Sequence, residues 1–156
     1  MKNFLKNVAV AGLLVGMGMG GWIESSIAHH SFAMFDRGRE ELLSGKVVRW
    51  AFNSPHIALY METADGTLYS FEGAAPPSLI SRSPSMTGFT FQPGQEVKVV
   101  YCPLHDGRPG GAVGYIIDAA GTFYSPNDGG CGPSRDWEKW LAAGYTSRAE
   151  AEKAAR

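Results

Sequence analysis

The sequence predicts a mainly β protein: a small antiparallel barrel, OB-like, with short C-terminal helices. Three observations carry this. Short alternating apolar and polar runs recur between Leu42 and Tyr124, the period of half-buried strands. Turns rich in Gly, Pro and Asp separate them. A β protein this small must also hide its strand edges, and barrel closure does so. A two-layer sandwich is the next arrangement by size.

The first strand, Leu42–Phe52 ("LLSGKVVRWAF"), is β-branched and aromatic, with a glycine that lets it bend. "NSPH" (Asn53–His56) ends it, because the residue before proline is pushed away from helix. Ile57–Glu62 and Thr67–Glu72 alternate on either side of "TADG", whose Asp65-Gly66 pair is a hairpin signal. Pro76-Pro77 opens a single helical turn over Ser78–Ser81. A polar loop and the turn Gln92–Gln95 lead into strand Glu96–Tyr101. "HDGRPGG" (His105–Gly111) turns into Ala112–Asp118, and Ala119-Ala120-Gly121 turns into Thr122–Tyr124. From Asp128 the composition changes to a glycine loop and two helical stretches. Ser134 is the predicted cap of the first, starting near Arg135, and Thr146 or Ser147 of the second.

Ahead of the barrel, Met1–Asn7 carries Lys2 and Lys6, and Val8–Ile23 has no charged residue. Ser26-Ile27-Ala28 then places small residues where a signal peptidase needs them. The apolar run is short and diluted by glycine, where a spanning helix needs about 20 apolar residues. The expected organisation is therefore a secretory signal over residues 1–28, a barrel domain over 29–127, and a loop and helical extension over 128–156. Cleavage leaves 128 of the 156 residues, enough for one domain. Two lysines and one glutamate leave with the leader, so the formal charge goes from −1 to −2. Such a chain has no electrostatic footprint for nucleic acid or anionic lipid, and no membrane span is expected after cleavage. The expected location is periplasmic or secreted. In that compartment Cys102 and Cys131 are expected to form a bridge rather than a thiolate site, since no other ligand stands at metal-motif spacing.

Several segments together resemble a family of small exported bacterial proteins known as a domain of unknown function. They are the start "AHHSFAMFD" (Ala28–Asp36), "SGKVVRW" (Ser44–Trp50), "NSPH", "YSFEG" (Tyr69–Gly73) and "FQPGQ" (Phe91–Gln95). The resemblance runs to about Tyr124. It implies export and the barrel, and supplies no reaction.

The histidines are His29, His30, His56 and His105. A terminal His29 could chelate a metal through its α-amine and Nδ1 together, and a second imidazole would complete a nitrogen set suited to Cu(II). His56, in the turn after the first strand, is the next candidate ligand. His30 is a local alternative, and His105 is an exposed turn residue. Glu72 is a possible outer ligand; Tyr69 and Phe71 facing inward would put it on the outer face. The bland alternative is a mobile terminus with ordinary turn histidines. Against a mobile start, "SFAMF" is apolar enough to dock on the barrel. Most strand aromatics (Trp50, Phe52, Tyr60, Tyr69, Phe71, Tyr101) are expected in the core rather than as a stacking platform. No serine has a histidine placed to activate it, and no glycine loop sits in a strand–loop–helix frame, so the enzyme readings are thin.

Three function classes remain: an exported copper-binding protein, a noncatalytic binding module for a small ligand or another exported protein, and, least supported, a copper oxidase or monooxygenase built on the terminal histidine. Protein recovered from the periplasm of an expressing bacterium should have the intact mass of a chain starting at His29. A mass retaining Met1–Ala28 would contradict the leader.

Overall fold

The structure, a computed structural model, describes residues 32–156. A 3-10 turn (Phe32–Met34) is followed by β1 (Glu41–Ala51), β2 (Ala58–Glu62), β3 (Leu68–Glu72), α1 (Pro76–Ile80), β4 (Glu96–Pro103), β5 (Gly110–Asp118), β6 (Phe123–Tyr124), α2 (Trp137–Ala142) and α3 (Arg148–Ala154). The sheet order is β3-β2-β1-β4-β5-β6, and an additional β3–β5 pairing closes the first five strands into a barrel.

This is the expected small, mainly β barrel with short C-terminal helices, and one of its pairings departs from the antiparallel pattern. The barrel is mixed, because β3 and β5 run parallel, with Ser70, Phe71 and Glu72 opposite Gly110, Gly111 and Ala112. The four other pairings around the ring are antiparallel. Strand direction cannot alternate around a ring with an odd number of members, so five strands force one parallel pair.

β1 is 11 residues long because it serves two partners. Glu41–Lys46 pairs with β4 and Lys46–Ala51 with β2. Gly45 sits where the strand passes from one to the other, and a Cβ there would strike the Glu62 carbonyl oxygen. A bulge between Val47 and Arg49 then leaves Val48 exposed. In β2, Leu59 and Met61 are fully buried between Ala58, Tyr60 and Glu62, the strand period read from the sequence. The barrel interior also takes Val47, Trp50, Phe71, Val99, Val113 and Ile116, with Leu79 of α1 and Phe91 packed against them. Trp50 satisfies its indole by donating to the Thr87 carbonyl at 2.8 Å. At the β2–β3 turn, Gly66 takes φ 82°. Asp65 accepts there from the Thr63 hydroxyl and from the Thr67 N–H, and these bonds hold its carboxyl below the usual range.

β4 is buried on both sides. Val99 faces the barrel, while Val100 joins Ile117 and Trp137 in a second cluster with Leu42, Tyr115, Trp140 and Leu141. The C-terminal helices therefore cover the outer surface of the barrel. Their anchor is Glu40, 1% exposed. Its Oε2 accepts from Trp137 Nε1 at 2.6 Å and from Ser134 N at 2.9 Å, and its Oε1 accepts from Arg148 Nη1 at 3.1 Å. The Glu40 carbonyl takes the Arg148 N–H, and Leu42 N–H donates to the Thr146 carbonyl. Ser147 caps α3, accepting from Glu150 N. α2 starts two residues later than expected, at Trp137 after Asp136, and Ser134 accepts from Asp136 N ahead of the helix. Burying Trp137 against Glu40 fixes that start. Among the described residues no helix is long and apolar enough to cross a membrane.

Glu40→Ala should lower unfolding free energy by about 2–4 kcal/mol, since it orphans a buried indole N–H and removes one of the two carboxylates, with Glu152, that pair with Arg148. Urea denaturation checks this, and a loss below about 0.5 kcal/mol would contradict the anchoring role.

Candidate functional site: an imidazole and two carboxylates at the barrel rim

The β1–β2 connection ends at His56, immediately before Ile57, which is fully buried. Ile57 N–H donates to the Ala74 carbonyl, and the Ile57 carbonyl accepts from Gly73 N–H, each at 3.1 Å. The backbone beside His56 is thereby stitched to the end of β3, and its Nδ1 lies 2.9 Å from the Gly73 carbonyl oxygen. Gly73 has to be a glycine. A Cβ there would come within 2.7 Å of both Ile57 Cδ1 and the Pro126 carbonyl oxygen.

The Pro126 carbonyl accepts from Ala74 N–H at 2.7 Å, so the segment after β6 is tied to the same end of β3. Arg82 braces it from the other side, donating to the Ser125 and Asn127 carbonyls. Asp128 follows. Its Oδ1 accepts from Gly130 N at 3.1 Å, closing a turn, while its Oδ2 lies 3.2 Å from His56 Nδ1. Glu72, the last residue of β3, brings Oε1 to 3.6 Å from the same nitrogen. Ligand atoms of His56, Glu72 and Asp128 lie within 4.8 Å of one another.

Cys131 is disulfide-bonded to Cys102 of β4, which clamps the Asp128 loop to the barrel. Closing a loop of that length stabilises by about 3–4 kcal/mol in the chain-entropy model. The segment Phe32–Asp36 docks beside it. Phe35 bridges Leu104, and Asp36 N–H donates to the Pro103 carbonyl. Phe32 and Phe35 pack with Cys102, Ala112 and Cys131, and the Phe32 ring reaches Gly129 and Gly130. Phe32 and Phe35 of the apolar start read as a docking segment are thus seated on the barrel, while Ala33 and Met34 are exposed.

The site is half-sheltered: the side chains of His56, Asp128 and Glu72 are 19%, 12% and 42% exposed. Two carboxylates beside one imidazole make a rim that attracts cations, with a donor set usable by several divalent metals.

Of the candidate residues, the structure brings His56 and Glu72 near one another, with Glu72 42% exposed. The cysteines are bridged. His105 is exposed in the β4–β5 turn and takes no part in this group. His29 and His30 lie outside the described residues. Asp128 was missed: in sequence it opens a loop of glycines, and only the pairing of Cys131 with Cys102 reveals that this loop returns to His56.

No curated protein and no solved structure matches the chain. The sequence model of a family of unknown function, DUF6152, matches residues 20–113. That span holds the docked start, β1 to β4 and the residues flanking His56. The chain therefore belongs to the DUF6152 family.

Proposed function

We propose that this protein is exported, is cleaved after Ala28, and binds copper through the resulting N-terminal His29 together with His56. The rim cluster of His56, Glu72 and Asp128 is the observation that carries this reading. It offers an imidazole in a negative, partly sheltered environment, held on backbone pinned from three sides. The covalent chain adds support. Phe32, three residues after His29 in the sequence, is seated against the Asp128 loop. A free α-amine and the ring of His29 would supply two nitrogens, and His56 a third, a set that suits Cu(II). His30 is the local alternative ligand, and the carboxylates offset the charge of the ion. The Cys102–Cys131 bridge accords with an oxidising compartment. The protein acts in this reading as a copper carrier or buffer.

A second reading rests on a different place. A groove of about 830 Å³ runs past Lys46, Lys98, Glu62, Glu96 and Asp118 on the barrel surface, roofed in part by Leu141. Its volume falls in the range of small-molecule sites, and a noncatalytic binding module for a small ligand or another exported protein would use it. That activity needs neither the α-amine nor His56.

The two readings separate in one titration. Mature protein starting at His29 should bind Cu(II) at least tenfold more tightly than the same chain with one added residue before His29, because the extension removes the amine from the chelate while both imidazoles remain. His56→Ala should weaken the mature form by a further large factor, and His105→Ala should change little. Equal affinity of the mature and extended forms would contradict the terminal site and favour the groove.

A further inference from the structure

The surface groove lies on the outer face of β1 and β4, beyond the part that the C-terminal helices cover. Val97 and Val99 point into the barrel, so strand alternation turns Glu96 and Lys98 outward, where both are exposed. Register sets their neighbours. Lys46 stands between Glu62 of β2 and Glu96 of β4, and Lys98 between Ser44 of β1 and Ile117 of β5. Lys46 and Lys98 are therefore diagonal neighbours on one face. Among the described residues, Lys46, Lys98, Glu62 and Glu96 form no ion pair and no side-chain hydrogen bond. The other polar groups of the groove are engaged. Asp118 Oδ1 accepts from Ala120 N and Thr122 N, and the Thr63 hydroxyl bonds to Asp65 and to the Thr67 carbonyl.

Two ammonium groups and two carboxylates are thus open to a ligand, and their charges sum to zero. A ligand of one sign meets like charge beside every opposite one. A ligand carrying both signs at separate ends satisfies both sets. The span fixes its length: Glu62 and Lys98 lie on strands two spacings apart, about 10 Å, and three extended residues reach about the same distance. Ile117 and Leu141 give the same groove an apolar wall, within about 830 Å³. We infer that the groove receives a short peptide with both ends free, about three residues long and apolar in its middle. Lys98 takes its carboxylate and Glu62 its ammonium, while Lys46 and Glu96 lie between them, beside its peptide groups. This rests on the binding-module reading of the groove and names its ligand class. It involves neither His56 nor the amino terminus.

The test is a ¹H–¹⁵N titration of the purified protein with the tripeptide Ala-Leu-Ala, its N-acetyl form and its C-terminal amide. Amides of Lys46, Lys98 and Ile117 should shift, and each capped form should bind about three- to fivefold more weakly than the free tripeptide, the range of a partly solvated charge pair. Lys98→Gln should weaken the free and N-acetyl peptides by the same factor and leave the amide unchanged. Glu62→Gln should weaken the free peptide and the amide and leave the N-acetyl form unchanged. Both side chains are exposed, and an otherwise unaltered spectrum shows that each variant is folded. Capped and free peptides of equal affinity, or variants that affect all three probes alike, would overturn the peptide inference. So would a failure of the tripeptide to move the groove amides. A parallel titration with uncharged organic fragments separates the two failures: fragments that still shift the groove amides uphold the groove as a binding site, and none doing so overturns that reading as well.

Discussion

The parallel pairing of β3 with β5 is the contact on which the rest of the molecule depends. It closes the barrel over only three residue pairs, and two of the three on β5 are glycines. Neither could carry a side chain. At Gly110, with φ 145°, a Cβ would strike the Ser70 carbonyl oxygen, and at Gly111 it would strike that of Cys102. Closure places Glu72 opposite Ala112, and Gly130 then approaches Ala112 so closely that its own Cβ would come within 2.9 Å. The Asp128 loop thus rests on the closing strand, and the rim cluster exists because the ring is shut there. A side chain at Gly110 would separate β3 from β5 and pull Glu72 and Asp128 away from His56 together.

The same logic explains why the cluster sits at the rim rather than in the barrel. The interior is filled by Leu59, Met61, Phe71, Val99, Val113 and Ile116, and an ionised carboxylate placed there would need full compensation for lost hydration. At the rim the groups keep part of their solvent, while backbone bonds around Ile57, Gly73 and Ala74 supply rigidity. Rigid placement matters more than burial for a metal ligand, because a ring free to rotate loses the orientation its partners impose. The opposite solution appears at Glu40, where a nearly inaccessible carboxylate is compensated by an indole, a backbone N–H and a guanidinium. That network fastens the C-terminal helices to the barrel.

Much of this was legible in the sequence, and the remainder was not for physical reasons. Local signals worked where local chemistry decides. Asp65-Gly66 made the hairpin, alternation marked β2 and β3, Pro76 opened α1, and Ser147 capped α3. His56 and Glu72 could be singled out because a turn and a strand end are local features. Long-range pairings leave no such trace. The parallel β3–β5 pair follows from ring parity, which needs the strand count before it can be applied. Asp128 reaches His56 through a disulfide and the Pro126–Ala74 bond, across more than seventy residues of sequence. Glu40 reads as one acid in a charged stretch, and its burial depends on Trp137, which lies nearly a hundred residues away.

The central claim is that the rim histidine is a copper ligand completed by the mature amino terminus. A crystal structure of the mature protein loaded with Cu(II), with anomalous data collected on both sides of the copper edge, tests it most directly. The account predicts one dominant anomalous peak within about 2.1 Å of both a ring nitrogen of His56 and the α-amine of His29. A peak at a site remote from His56 would contradict it.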